Sequence, residues 1–288
     1  MSTFHFCNKN VRSLNKTICN PNLLDNWDWH TLINQRDKAL YTNAVSGTAQ
    51  YTIDRFVLGD IGSIELLNRY IRLTKTNAQI GVVLEQRIEN SILLIGKTVT
   101  CSIKTTDKIY IGSCLIPNGN FRNEVINIGN TGFIIDLFKS NGNPETRFRI
   151  ASENGLPIGS YLDIEAVKLE VGNISTLLND PPMNLGDELT RCQRHQITIG
   201  TVETPFPMVK LFPNAIGFFI PLPKTLRITP AVPSGLSVIT TSNATQSGFT
   251  FSIGLRQNGL YVSADKNAHG LSSAFLVVPA NTIFDANL

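Results

Sequence analysis

The feature that most limits what this chain can fold into is its rhythm. Short runs of β-branched and aromatic residues recur, each closed by a Gly, Asn or Pro signal. From Asn22 onward, Tyr51–Leu58, Tyr70–Thr74, Ile80–Ile88, Lys97–Ile103, Tyr110–Ile116, Gly132–Phe138 and Phe148–Ala151 read as strands. Pro117-Asn118-Gly119 and Asn141-Gly142-Asn143-Pro144 read as turns between them. Evenly spaced short strands parted by turn residues predict a sandwich or a barrel. The run Tyr161–Val171 changes phase, with Leu162, Ile164 and Ala166 on one face and Val167, Leu169 and Val171 on the other. Either a bulge near Ala166 turns both sets toward one core, or the strand is buried on both faces.

After that strand the pattern changes. Asn184 is suited to cap a short helix, with Asp187 at its third position. Leu185, Leu189 and Cys192 form a stripe at helical spacing, and Arg191 and Arg194 complement the dipole at its end. Next comes a stretch with Pro205, Pro207, Pro213, Pro221, Pro223, Pro230 and Pro233. Proline excludes helix and confines strands to edges or ends. Strands are expected at Ala215–Ile220, Leu226–Ile228, Leu236–Thr241, Phe249–Leu255, Leu260–Ser263, Phe275–Val278 and Ile283–Ala286, the last tying the C-terminus into a sheet. The organisation read from this is an arm or attachment segment over 1–20, a sandwich over 21–182, a linking helix over 183–196, and a smaller β domain over 197–288 suited to oligomerisation or to a tip.

Composition narrows the function classes. The 288 residues suit two domains, each long enough for its own core. The net charge of +3 is spread along the chain without a Lys/Arg block, so no nucleic-acid surface is indicated. No apolar run approaches the roughly 18 residues of a membrane span. The N-terminus lacks the apolar core of a secretory signal, which predicts a cytoplasmic start. Without that route the sequons at Asn15, Asn173 and Asn243 carry no weight. Cys7, Cys19, Cys101, Cys114 and Cys192 are odd in number and lack C-x-x-C spacing, so free thiols are expected. Hydrolase-elbow, P-loop, dinucleotide and zinc-helix signatures are absent. His5, His30, His195 and His269 are scattered. No catalytic residue, metal site or cofactor is therefore expected; a structural calcium held by loop carbonyls cannot be read from sequence.

Two constellations carry candidate chemistry. Asp163 and Glu165, two apart on a strand, share a face; paired carboxylates can do acid–base work but are more often a solvated face. Trp27 and Trp29 flank Asp28 and follow Asn26. On a strand they would share a face and offer a stacking platform for sugar rings, with the polar neighbours bonding hydroxyls. The competing reading, which is favoured, makes both tryptophans core anchors. Tyr41, Tyr51 and Arg55 are lesser carbohydrate-binding candidates.

Four segments add a resemblance. Asn22-Leu23-Leu24-Asp25-Asn26 resembles the opening of galactose-binding-like jelly rolls, including carbohydrate-binding modules. Ile33-Asn34-Gln35-Arg36 and Tyr51-Thr52-Ile53-Asp54-Arg55-Phe56 resemble motifs of bacteriophage and prophage tail proteins, the latter with Phe56 where Trp is usual. Lys168-Leu169-Glu170-Val171-Gly172, followed by Arg191-Cys192-Gln193-Arg194, resembles a further pair. Order and spacing agree over residues 22 to about 195. The resemblance implies an all-β protein with an N-terminal jelly-roll sandwich. It further implies a non-enzymatic tail-fibre or receptor-binding virion component that recognises bacterial surface glycan, contacts other tail proteins and forms a homo-oligomer, a trimer being favoured. The runner-up is a structural tail or baseplate part whose jelly roll docks virion proteins.

Overall fold

Alternating side chains make each strand apolar on one side, so strands must stack in layers to hide that side from water. The computed structural model describes residues 19–140, 145–199 and 202–286. The arm, apart from Cys19 and Asn20, and the Asn141–Pro144 turn lie outside these. The chain divides into two compact units between Leu185 and Gly186.

Among the described residues the first unit contains strands β1 (Leu40–Asn43), β2 (Gln50–Tyr51), β3 (Val57–Leu58), β4 (Gly62–Leu67), β5 (Tyr70–Lys75), β6 (Val83–Arg87), β7 (Thr98–Thr105), β8 (Ile109–Leu115), β9 (Phe121–Asn127), β10 (Phe133–Lys139), β11 (Arg147–Ser152) and β12 (Tyr161–Val171). They form two antiparallel sheets, β1-β4-β5-β12-β7-β8 and β2-β3-β6-β11-β10-β9. The chain passes repeatedly from one sheet to the other, as in a jelly-roll sandwich. One core lies between the layers. Ile64, Ile71, Leu73, Val99, Ile103 and Ile164 from the first sheet meet Leu84, Phe133, Ile135, Leu137, Phe148 and Ile150 from the second. Burying each such side chain contributes roughly 1.5–3 kcal/mol.

The phase change in β12 has a definite cause. The ladder shifts register between Ile164 and Ala166. Ile164 before the shift and Val167 and Leu169 after it all enter the same core. The other face of the strand is buried there too: Lys168 and Glu170 are fully inaccessible. Both readings of this strand therefore hold at once.

Other expectations need correction. Tyr51–Leu58 is not one strand. It is two short strands joined by a turn in which Arg55 has φ 73°, and the Phe56 N–H donates to the Ile53 carbonyl at 3.0 Å. Alternation cannot report such a reversal, because a non-glycine residue with positive φ is held there only by tertiary contacts. Strands β1, β4 and β9 were not foreseen. β4 opens on Gly62, where a Cβ would stand 2.2 Å from Val82 Cγ2, so only glycine lets the backbone approach so closely.

The second unit starts in the helix α1 (Leu185–Gln193) and continues with β13 (Gln196–Ile199), β14 (Thr204–Phe212), β15 (Ala215–Pro221), β16 (Ser237–Ile239), β17 (Thr245–Gln246), β18 (Thr250–Arg256), β19 (Gly259–Asp265), β20 (Phe275–Val278) and β21 (Thr282–Asp285). A seven-stranded sheet has the order β17-β16-β20-β14-β15-β19-β18, and β13 pairs with β21 near the C-terminus. Leu226–Ile228 forms no strand. β14 is a nine-residue strand despite Pro205 and Pro207. The Met208 N–H donates to the Ala274 carbonyl at 3.1 Å, so even-numbered residues face β20. The two prolines then point their missing donors to the other side, where β15 pairs only from Met208 onward. On the helix, Glu188 and Cys192 are the buried positions and Leu185 is 50% exposed, so the apolar stripe is shorter than its spacing suggested.

Candidate functional site

All the motif segments except Arg191–Arg194, which lies in the second unit, converge on β12 and its surroundings in the first unit. Asn22 spans to β12: its amide donates to the Val167 carbonyl at 2.9 Å and its oxygen accepts the Leu169 N–H at 3.1 Å. The Leu23 N–H donates to the Leu169 carbonyl at 2.8 Å, the Val167 N–H to the Trp27 carbonyl at 3.0 Å, and the Trp29 N–H to the Glu165 carbonyl at 2.9 Å. Residues 22–29 thus lie along β12 beyond the end of its pairing with β5. Asn26 is fully buried and spends its amide inward. It donates to the carbonyls of Ile33 at 2.8 Å and Asp54 at 3.0 Å, and accepts the Ile33 N–H at 2.6 Å. Asp25 and Arg55 form a buried ion pair at 2.8 Å, and the Arg55 guanidinium also donates to the Arg87 carbonyl at 3.1 Å. Gln86 fixes the Asp25 backbone from both sides at 2.8 Å.

Asp54 sits at the centre of this clasp. It is fully buried, accepts the Gln35 N–H at 3.0 Å and faces Arg36 at 3.7 Å. Burial outweighs these partners and pushes its carboxyl up to about 6. Arg36 also donates to the Thr52 carbonyl at 2.9 Å and lies over the Tyr51 ring at 5.4 Å. The fourth motif closes the strand's other face. Glu170 accepts the Thr176 N–H at 2.8 Å and its hydroxyl at 2.6 Å, while Lys168 donates to Thr176 at 2.9 Å and pairs with Asp180. The motif residues of the first unit are therefore fastenings that hold the segment from Asn22 and the 172–180 loop to β12.

The five carbohydrate-binding candidates are placed accordingly. Trp29 is 1% exposed; its ring meets Phe56 edge-on at 5.4 Å and its indole N–H donates to the Asn26 carbonyl. Tyr41 is 3% exposed, its hydroxyl bound to Asn34, and burial pushes that hydroxyl up to about 12. Arg55 is 5% exposed. None of these three offers a face to a sugar, and the expectation is corrected for them: aromatic bulk and a paired guanidinium are core material here. Trp27 is half-buried against the same core, and it and Trp29 stand on no regular strand. Tyr51 is half-buried on the edge strand of the second sheet.

The outward faces of the two sheets carry the accessible chemistry. On the first, Asp163 holds Arg72 by two bonds of 2.8 and 2.9 Å, and Arg72 stacks on the exposed Tyr161 at 4.2 Å. Glu165 pairs with Lys104 at 2.5 Å and His30 at 3.3 Å, and these partners hold its carboxyl below the usual range against the opposing effect of partial burial. The two carboxylates singled out by sequence thus point to different cations, as a solvated face does.

The second sheet's outward face is denser. Register places Glu85, Arg149, Asp136 and Glu124 in one row across β6, β11, β10 and β9. The next row holds Arg87, Arg147, Phe138 and Arg122 on the same strands. Asp136 is inaccessible and takes Arg122 at 2.7 Å and Arg149 at 3.2 Å; Glu85 takes Arg147 at 2.8 Å. Arg149 lies over the Phe138 ring at 4.9 Å. Sequence reasoning missed this site. Its one linear trace is the alternation Arg147-Phe148-Arg149, with the aromatic turned inward between two outward guanidiniums.

Among the described residues no three His, Cys, Asp or Glu side chains stand together as a metal site requires, and Cys101 and Cys114 are free thiols. No described helix is long and apolar enough to cross a membrane. No family model, curated protein or solved structure matches this chain.

Proposed function

We propose that the chain is a non-enzymatic component of a bacteriophage tail that recognises glycan on the host cell surface, with the first unit as the recognition module. One observation carries the reading: a row of guanidiniums and a phenyl ring on an open sheet face, with Arg122, Arg147 and Arg149 oriented from beneath by the buried carboxylates of Asp136 and Glu85. Pre-oriented donors beside an aromatic face suit hydroxyl-rich ligands, because little side-chain freedom remains to be lost on binding. Weak single sites would gain from an oligomer by avidity. The test is a high-valency array of bacterial surface polysaccharides probed with the full chain in its native oligomer. Binding to a subset is expected; no binding to any of them overturns the reading. The oligomer is proposed to rest on the second unit, so a chain ending after Arg194 should sediment as a soluble monomer. A truncated chain that still oligomerises refutes that assignment.

A structural tail or baseplate role is the second reading. It is favoured by the edge strand β8, whose Ile111 and Leu115 are 57% and 58% exposed. Exposed apolar residues on an open edge invite a protein partner.

A further inference from the structure

We infer that the outward face of the second sheet takes an anionic saccharide, through carboxylate or phosphate groups carried on a polysaccharide chain. This rests on the glycan-recognition reading of the same face and adds the ligand's charge class.

The charges on this face differ in how far they reach water. Arg87, Arg122, Arg147 and Arg149 face the carboxylates Glu85, Asp136 and Glu124 across the two rows, so the formal balance is nearly neutral. The layering is not. Asp136 is 0% and Glu85 7% exposed, whereas the Arg122 side chain is 57% exposed and those of Arg147 and Arg149 keep 22% and 15%. Of the three carboxylates only Glu124, on the edge strand β9, stands in the open. A ligand approaching the middle of the face meets N–H donors and the Phe138 ring, with the carboxylate oxygens underneath them.

Each guanidinium keeps donors to spare. A carboxylate occupies one side of the planar fork and leaves the remaining N–H groups for a second acceptor. Arg87 goes further: among the described residues no carboxylate or other acceptor pairs with its guanidinium, although its carbonyl is used by Arg55. Beyond the row, Glu89 and Glu145 are each engaged in contacts of their own. The row Arg87-Arg147-Phe138-Arg122 is therefore a strip of donors broken by one apolar plate. Neighbouring strands lie about 4.8 Å apart, so the strip extends across several strands and suits a polymer better than a lone ion. Guanidinium binds carboxylate and phosphate in a fork geometry that neutral hydroxyls cannot match, which favours an acidic sugar over an uncharged one. The first sheet's outward face differs in degree: the carboxylates that hold Arg72 and Lys104 keep 14% and 20% of their own side-chain surface, against 0% for Asp136 and 9% for Glu85.

The experiment titrates the full chain with polygalacturonate, with a poly(glycerol phosphate) polymer, with neutral dextran, and with single-stranded DNA of similar length. Binding to either or both of the first two is expected, the pair telling a carboxylate carrier from a phosphate carrier. Arg87→Gln and Arg122→Gln should each raise Kd by about tenfold, the typical effect of losing one charge-assisted bond. Phe138→Ala should raise it by about threefold, through lost apolar contact with the sugar ring. Arg87→Lys should fall between wild type and Arg87→Gln, and Lys104→Gln on the other face should leave Kd unchanged. Unfolding midpoints near wild type establish that the variants are folded; Arg87, with no carboxylate to orphan, keeps the test decisive if Arg122→Gln does not fold. Dextran bound as tightly as polygalacturonate, with no effect of the arginine variants, overturns the charge assignment and leaves glycan recognition standing. Equal affinity for DNA, or an equal loss from Lys104→Gln, reduces the effect to net charge and overturns it as well. No binding to any polysaccharide removes both readings.

Discussion

The clasp at the N-terminal segment and the arginine face of the second sheet use the same two groups, guanidinium and carboxylate, in opposite arrangements. In the clasp both partners are withdrawn from water, as with Arg55 and Asp25. On the open face the acid is withdrawn and the base is left at the surface, as with Asp136 and Arg122. A pair buried on both sides fixes one conformation of the chain, since either partner alone would be an uncompensated charge. A pair buried on one side fixes the direction of a donor that still meets solvent. The difference shows that motif density and exposed charge need not coincide: the clasp draws on Asn22–Asn26, Ile33–Arg36 and Tyr51–Phe56, and the exposed arginine face holds no motif.

The comparison breaks most directly through stability. Asp25→Ala leaves the buried Arg55 without its carboxylate and should cost about 3–5 kcal/mol, read by urea unfolding of the full chain as a transition moved to lower denaturant. A cost below about 1 kcal/mol would make the clasp an ordinary surface feature.

Asp54 gives the next largest effect, and it depends on pH. Its folded pKa, about 6, lies above the ordinary unfolded value near 3.9. The folded state therefore takes up a proton that the unfolded state does not, between pH 6 and pH 4. Stability contributed by this group rises as pH falls through that window and is lost as pH climbs back. Two pKa units correspond to about 3 kcal/mol. Relative to Asp54→Asn, which cannot titrate, the wild type should gain stability on acidification from pH 7 to pH 4. A difference that stays flat would place the carboxylate in contact with water.

On the open face the effects on folding should be small. Arg122→Gln leaves Asp136 with Arg149, and Arg87→Gln orphans nothing, so each should shift stability by no more than about 0.5 kcal/mol while weakening polysaccharide binding. A loss above 2 kcal/mol for Arg87→Gln would erase the distinction between the two regions.

How much of this was legible depends on the range of the interaction. Tyr161–Val171 could be read as a strand with a fault near Ala166, because a phase slip is written in consecutive residues. The turn at Arg55 could not, because Thr52 to Phe56 keep a strand-like alternation while Asp25, Asn26 and Gln35, far away in sequence, hold the backbone in its reversed form. Trp29 could be named as core or platform but not assigned, since spacing on an irregular segment fixes no face. The arginine face was illegible because its members come one or two at a time from β6, β9, β10 and β11.

Sequence by itself determined that the described residues form many short strands and a brief α-helix, for alternation and turn residues are local properties that burial then enforces. The tertiary structure alone decided which polar residues are fastenings and which stay open to solvent. That division depends on what lies across the sheet and above it, and register between distant strands, not spacing along the chain, sets those neighbours.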